Sequence, residues 1–294
     1  MNNQVIDTLI SLGLSSPETL EPYFHRVRDR EDIHVLRCRQ TGAVVLSRSD
    51  HQDFRYHIEK EKELTGSQES YYDALFRQSI TDDQLRATKH EALILNKRWL
   101  DVGTGSGNLL HLLGRKAKVA HGVEPNQKDR DYLTQQGVVC HTSIEDLPTD
   151  PGYDVVTLFH VLEHIPDQLD FLCAIRKRLT PGGVLVIEVP HARDILLSQF
   201  DLDSFKRFSF WSEHLILHTR TTLTAFLHEA GFQRILIEGV QRYPLANHLR
   251  WLAEGKPNGH QEWSHLRSQE LDAAYANLLA RLDVTDTLLA TAIV

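Results

Sequence analysis

The chain has 294 residues, 40 of them acidic against 32 Lys and Arg, with a formal net charge of −8. That length can bury one large domain or two unequal ones, and the acidic balance lacks the basic footprint of a nucleic-acid partner. The three cysteines, Cys38, Cys140 and Cys173, are far apart and odd in number, which suits a reducing compartment and argues against a disulfide framework. The N-terminus has neither the basic start nor the apolar stretch of a signal peptide, and no apolar run is long enough to span a bilayer. The expectation is a cytoplasmic chain with no membrane partner.

In chain order, residues 1–22 read as a short amphipathic helix on Val5, Ile6, Leu9 and Ile10, broken at Ser15-Ser16-Pro17. Residues 33–38 and 43–46 flank Arg39-Gln40-Thr41-Gly42 and read as a β-hairpin. Residues 47–67 are polar and charged, and helical patterns follow over 71–76 and 82–95. Residues 1–90 are therefore read as an N-terminal cap and substrate-binding extension of a domain spanning 91–294.

From Trp99 onward strand and helix alternate, the pattern of a parallel sheet with helices on both faces. Leu100 and Val102 belong to a strand, Gly103, Gly105 and Gly107 to a turn, and Leu109, Leu110, Leu112 and Leu113 to a helix. Such a turn at a helix N-terminus can lay a polar ligand against backbone. The dinucleotide fingerprint needs a third glycine where this chain has Asn108, so that fingerprint fails. A second strand, 118–123, ends in Glu124-Pro125, and a carboxylate there can hold both hydroxyls of a ribose. Further strands are read at 138–140, 153–160, 184–190 and 235–237, with helices at 128–136, 169–179 and 221–230. A helical insert over 241–283 precedes a last, antiparallel strand at 287–294. The insert either closes the substrate site or forms a homodimer contact.

The spacing Asp-x-Gly-x-Gly-x-Gly from Asp101, with Glu124 after the next strand, resembles motif I of the class I S-adenosylmethionine-dependent methyltransferases. The segment His160-Val161-Leu162-Glu163-His164-Ile165-Pro166 closely resembles the post-strand signature of the small-molecule branch, which includes quinone, sugar and secondary-metabolite enzymes, and Leu179-Thr180-Pro181-Gly182-Gly183 agrees. The resemblance covers roughly residues 98–240. It implies an α/β fold with a doubly wound, seven-stranded, mainly parallel sheet, and S-adenosyl-L-methionine as cofactor. It further implies a cofactor site of Asp101, Gly103, Thr104, Gly105, Gly107, Glu124, Pro125, Ile144, Glu145 and His160. Many relatives have an aspartate where this chain has Ser143, so adenine contact is assigned to the backbone of Ile144. The Asn/Asp-Pro-Pro-aromatic tetrad of amino-group methyltransferases is absent, which points to methylation at oxygen or carbon of a small metabolite, such as a sugar nucleotide or secondary-metabolite intermediate.

A general base near neutral pKa suits a hydroxyl or acidic-carbon acceptor. His160 and His191 lie at strand carboxyl ends, and His214 follows an aromatic run, Phe200, Phe205, Phe208, Phe210 and Trp211, that serves either as core or as a substrate wall. Some quinone-biosynthesis O-methyltransferases with a similar segment use a divalent ion, but Glu163 and His164 are neighbours that do not face each other on a helix. No metal is expected, and Cys38 alone makes no zinc cluster. An NAD-dependent oxidoreductase or epimerase, and a catalytically silent methyltransferase-fold partner protein, are the rival readings.

Overall fold

The computed structural model describes residues 3–51, 71–148 and 150–294; most of the polar 47–67 stretch lies outside them. The main sheet holds seven strands: β4 (Arg98–Val102), β5 (Val119–Val123), β6 (Val139–His141), β7 (Tyr153–Phe159), β8 (Leu179–Pro190), β10 (Gln233–Val240) and β11 (Thr287–Ile293). Their order is β10-β11-β8-β7-β4-β5-β6. All pairs from β8 to β6 are parallel, whereas β11 runs antiparallel to both neighbours. This is the doubly wound sheet the alternation foretells. Strands buried on both faces read as apolar runs, and Leu100, Val156, Leu158, Leu185 and Ile187 are all fully enclosed.

The topology creates one crevice. The chain leaves β4 toward β5 and β6 on one side and toward β7 and β8 on the other, and ligands settle at the carboxyl ends beside such a switch point. Register aligns those ends, because Val102 pairs with both Val123 and Leu158, and Phe159 with Glu188. Gly103, Glu124 and His160 therefore leave the sheet at one level.

A second sheet, antiparallel and four-stranded, runs β1 (Leu20–Phe24), β2 (Val35–Cys38), β3 (Val44–Leu46) and β9 (Ile216–Leu217). Its middle pair occupies the residues read as a hairpin. Its last strand comes from the far side of the chain, beyond the 1–90 segment. Helix α1 (Gln4–Ser11) starts at Asn3, whose side chain accepts from the Ile6 N–H, and buries Val5, Ile6 and Leu9 against this sheet's core. Helix α2 (Tyr71–Ile94) packs on α3 (Asn108–Leu113), the helix opened by the glycine turn.

Between β8 and β9 stand two short helices, α6 (Ile195–Ser198) and α7 (Asp203–Ser209), after α4 (Gln127–Gln135) and α5 (Gln168–Arg178) in the main layer. Helix α8 (Arg220–Glu229) follows β9. The insert before β11 forms α9 (Leu245–Glu254), α10 (Gly259–Glu262) and α11 (Gln269–Leu282). Among the described residues no helix is long and apolar enough to cross a membrane.

Candidate active site

Two cavities meet at the crevice, and His160 lines both. The first, about 370 Å³, runs along the carboxyl ends of β4, β5 and β6. Gly103 and Gly105 line it with left-handed backbone (φ 71° and 52°). A side chain added at Gly105 would meet nothing within 4 Å, so the backbone there faces open space. Glu124 stands opposite, 6 % exposed. Its two oxygens accept the Gly105 and Asn126 N–H groups, each at 2.9 Å, which fixes the carboxylate to the glycine turn. Pro125, Ile144 and Glu145 complete the predicted part of the lining, and Phe171 and Ile165 add an apolar flank. A groove of this volume, with backbone on one side, a fixed carboxylate and an apolar flank, has the make-up of a cofactor site.

Three predicted cofactor residues lie beneath the cavity instead. Asp101 is 5 % exposed and accepts from the Thr157 hydroxyl at 2.6 Å; burial pushes its carboxyl up to about 7. Thr104 turns its methyl toward Gly122, where an added Cβ would come within 2.7 Å. Gly107 caps α3 with φ 75°, and a Cβ there would strike Leu133 at 2.2 Å. These residues shape the turn from behind. Asp129, Ser143, Val161 and His164 also line the groove; Asp129 carries no sequence signal, whereas Ser143 stands beside Ile144 and Val161 and His164 lie within the 160–166 signature.

The second cavity, about 560 Å³, opens on the other side of His160. Its walls are aromatic. Phe205, Phe208 and Trp251 cluster with ring centroids 5.2 Å apart across each contact with Trp251, and Trp211 stands beside them. The aromatic run is thus divided: Phe205, Phe208 and Trp211 form the wall, Phe210 is core at 1 % exposure, and Phe200 points outward. The insert contributes Tyr243, His248 and Trp251 to the wall of this cavity. Arg28 comes from the β1–β2 loop and Arg242 from the β10–α9 connection, two elements that no local motif marks.

Of the three candidate histidines, His160 alone stands between the cavities. Its backbone is left-handed (φ 57°), an unusual conformation for a non-glycine residue. Nδ1 lies 3.2 Å from Glu163 Oε1. Nε2 lies 3.2 Å from Glu188 Oε1 and 2.8 Å from Arg242 Nη1. Burial and the Arg242 charge oppose protonation, but the two carboxylates outweigh them and raise the His160 pKa above the ordinary value. Glu163 is fully buried, yet the His160 bond holds it at about 2; Glu188, bonded by His160 and gripped through both oxygens by Arg86 at 2.8 and 3.1 Å, is held lower still. A neutral ring with its proton on Nδ1 leaves the Nε2 lone pair to accept from Arg242. Once Nε2 takes a proton, Glu188 is the acceptor within reach.

His214 lines the second cavity, its ring 5.0 Å from those of His164 and Trp211, and burial holds it well below the usual histidine pKa. His191 corrects the expectation. It is 1 % exposed, bridges to His218 through backbone, donates Nδ1–H to the Thr285 carbonyl at 3.1 Å and lines neither cavity. The strand end that carries it is covered by the β11 lead-in, which sequence periodicity cannot show.

The geometry also corrects the argument against a metal. Glu163, His164 and His214 each bring one ligand atom within 4.8 Å of the others. Glu163 and His164 belong to a single 3₁₀ turn (Leu162–His164) rather than a helix, and the third group arrives from the loop before β9. Glu163 Oε2 is buried with no hydrogen-bond partner, and the His164 Nδ1–H donates to the Glu213 carbonyl at 2.9 Å, leaving Nε2 as the ligand atom. These three residues could hold a divalent ion.

A family model described as a methyltransferase domain matches residues 76–237, more than half of the chain, which therefore belongs to the methyltransferase-domain family. Solved structures similar in fold include a SAM-dependent methyltransferase from Archaeoglobus fulgidus, 20 % identical, covering 76 % of this chain and all of that one, with a TM-score of 0.52. Among curated relatives, a tRNA U34 carboxymethyltransferase of Pseudoalteromonas atlantica is 33 % identical over 115 residues, 35 % of each chain. A ubiquinone biosynthesis O-methyltransferase of Haemophilus ducreyi is 30 % identical over 107 residues, 32 % of this chain and 45 % of that one. The chain thus spans less than half the length of these relatives.

Proposed function

We propose that the enzyme methylates an oxygen or carbon atom of a small metabolite, a sugar nucleotide or secondary-metabolite intermediate, with His160 as the base. The observation that carries this reading is the shared position of His160, on the wall of the glycine-lined groove and of the aromatic cavity at once. S-adenosylmethionine supplies a methyl group already activated on a sulfonium. Glu124 would hold its ribose hydroxyls, with the Gly103–Gly105 backbone, Ile144 and Glu145 supplying the rest of the groove that receives it. The protein's remaining task is alignment, which supplies up to roughly 7–11 kcal/mol in favourable cases, and proton removal.

The Nε2 of His160 takes the acceptor proton, and the new N–H turns to Glu188 while the Nδ1–H stays on Glu163. Arg242, released from Nε2, keeps its ion pairs to Asp82 and Asp286. Phe205, Phe208 and Trp251 give the acceptor an apolar wall beside His160.

The test is release of S-adenosylhomocysteine in the presence of small hydroxylated metabolites and sugar nucleotides, with bulk tRNA in parallel because some relatives are named for tRNA. Turnover with a small acceptor, lost in His160→Gln, is expected. Methylation of tRNA alone would overturn the reading.

A further inference from the structure

Charged groups on the acceptor cavity are nearly all neutralised from within the protein. Asp286 accepts from Gln241 Nε2 at 2.7 Å and from the N–H groups of Arg242 and Tyr243, and it faces the Arg242 guanidinium. Asp194 caps α6 through the Leu196 N–H at 2.8 Å, and burial raises the pKa of its carboxyl, which disfavours the charged form.

Arg28 differs. Its guanidinium carbon lies 4.7 Å from the Trp211 ring centroid and 5.8 Å from that of Phe208. One Nη1 hydrogen goes to the Phe208 carbonyl at 3.0 Å, and the backbone N–H to the Phe210 carbonyl at 2.9 Å. Its neighbour Asp29 accepts from both the N–H and the hydroxyl of Ser212, which laces the β1–β2 loop to the cavity wall. Among the described residues no carboxylate pairs with Arg28. A guanidinium carries five donors in a planar fork. Here the guanidinium lies over an aromatic wall on the lining of a cavity, and among the described residues the one acceptor its side chain meets is the Phe208 carbonyl.

We propose that Arg28 anchors an oxyanion, carboxylate or phosphate, carried by the methyl acceptor, so that the N-terminal cap selects the substrate while the main sheet holds the cofactor. This rests on the methyl-transfer reading for the identity of the cavity. Planar, bidentate recognition of oxyanions is what a preorganised arginine does best, and prior immobilisation lowers the entropic cost of binding. The neighbouring Phe205, Phe208 and Trp251 faces suit a ring on the same molecule.

The experiment is calorimetric titration of benzoate, phenyl phosphate and benzyl alcohol into wild type, Arg28→Gln and Arg28→Lys, each with and without saturating S-adenosylhomocysteine. Wild type is expected to bind at least one anion on the order of tenfold more tightly than the alcohol. The better anion distinguishes carboxylate from phosphate. Arg28→Gln abolishes the preference and Arg28→Lys keeps part of it, while S-adenosylhomocysteine affinity is the same in all three. Equal binding of the alcohol, a preference that survives in Arg28→Gln, or no binding of either anion overturns the proposal. Failure to bind S-adenosylhomocysteine speaks instead against the cofactor site and the methyl-transfer reading, and the anion titrations without it still report on Arg28.

Discussion

The two cavities flanking His160 are built on opposite plans. The cofactor groove is made from one contiguous stretch: every lining residue but Glu213 falls between Val102 and Phe171, at or just beyond the carboxyl ends of adjacent parallel strands and on the helices that follow them. Its glycine backbone is tied to one buried carboxylate, Glu124, through the Gly105 N–H. The acceptor cavity is assembled from side chains that the sequence scatters from Arg28 to Thr287, and its elements meet only through the cap, the α6–α7 region and the insert. A cofactor used unchanged across a family can be bound by a local turn. An acceptor particular to one enzyme is enclosed by whatever distant segments the fold brings over the same strand ends.

If the contrast holds, lesions in one cavity should leave the other's ligand untouched. The largest effect is expected from His160→Gln, a fall in kcat of roughly 10²–10⁴-fold, with calorimetric affinity for S-adenosylhomocysteine little changed. A parallel loss of cofactor affinity would break the division at its hinge. Glu124→Ala removes the acceptor of two backbone N–H groups and should weaken S-adenosylmethionine binding by on the order of 1.5–3 kcal/mol, which titration reads directly. Gly107→Ala forces a Cβ into Leu133 at a left-handed position; a loss of about 1–3 kcal/mol in denaturant unfolding is expected, because that glycine serves the turn rather than the ligand.

A smaller effect is set by pH. Burial raises the Asp194 carboxyl in the folded state to about 8, well above the ordinary aspartate range. The folded chain therefore binds that proton more tightly than the unfolded one, and the associated stability is fully present below pH 4 and lost as pH rises through about 8. Melting curves of wild type and Asp194→Asn should diverge across that interval, with the variant keeping stability at the alkaline end. The smallest effect concerns Glu163, His164 and His214. With His160 as base, a chelator is expected to leave turnover unchanged; activity lost to chelation and restored by a divalent ion would move the chemistry to that trio.

The same contrast explains what could be read from the chain. Asp101, the three glycines and Glu124 sit at spacings dictated by one strand-turn-helix unit, so both the sheet and the groove were legible there. Even so, spacing could not tell which residues face the ligand. Asp101, Thr104 and Gly107 share the motif with Gly103 and Gly105, and differ only in the direction the turn gives them. His191 looked like His160 because both end a strand, but the lead-in to β11 covers one and not the other. Arg28 and Arg242 carry no local signal, since each acquires its role through tertiary contact alone. Strand β9, two residues long, has no periodicity to detect.

That short strand has a consequence for synthesis. Leu46 ends β3, and β9 begins 170 residues later at Ile216. At translation rates of about 5–20 residues per second, the hairpin of the cap waits roughly 10–30 s on the ribosome with one edge open before its last partner emerges. An open edge is a template for stray pairing, so the nascent cap is the part of this enzyme most in need of a chaperone, and the acceptor wall cannot form until the main sheet behind it has almost been made.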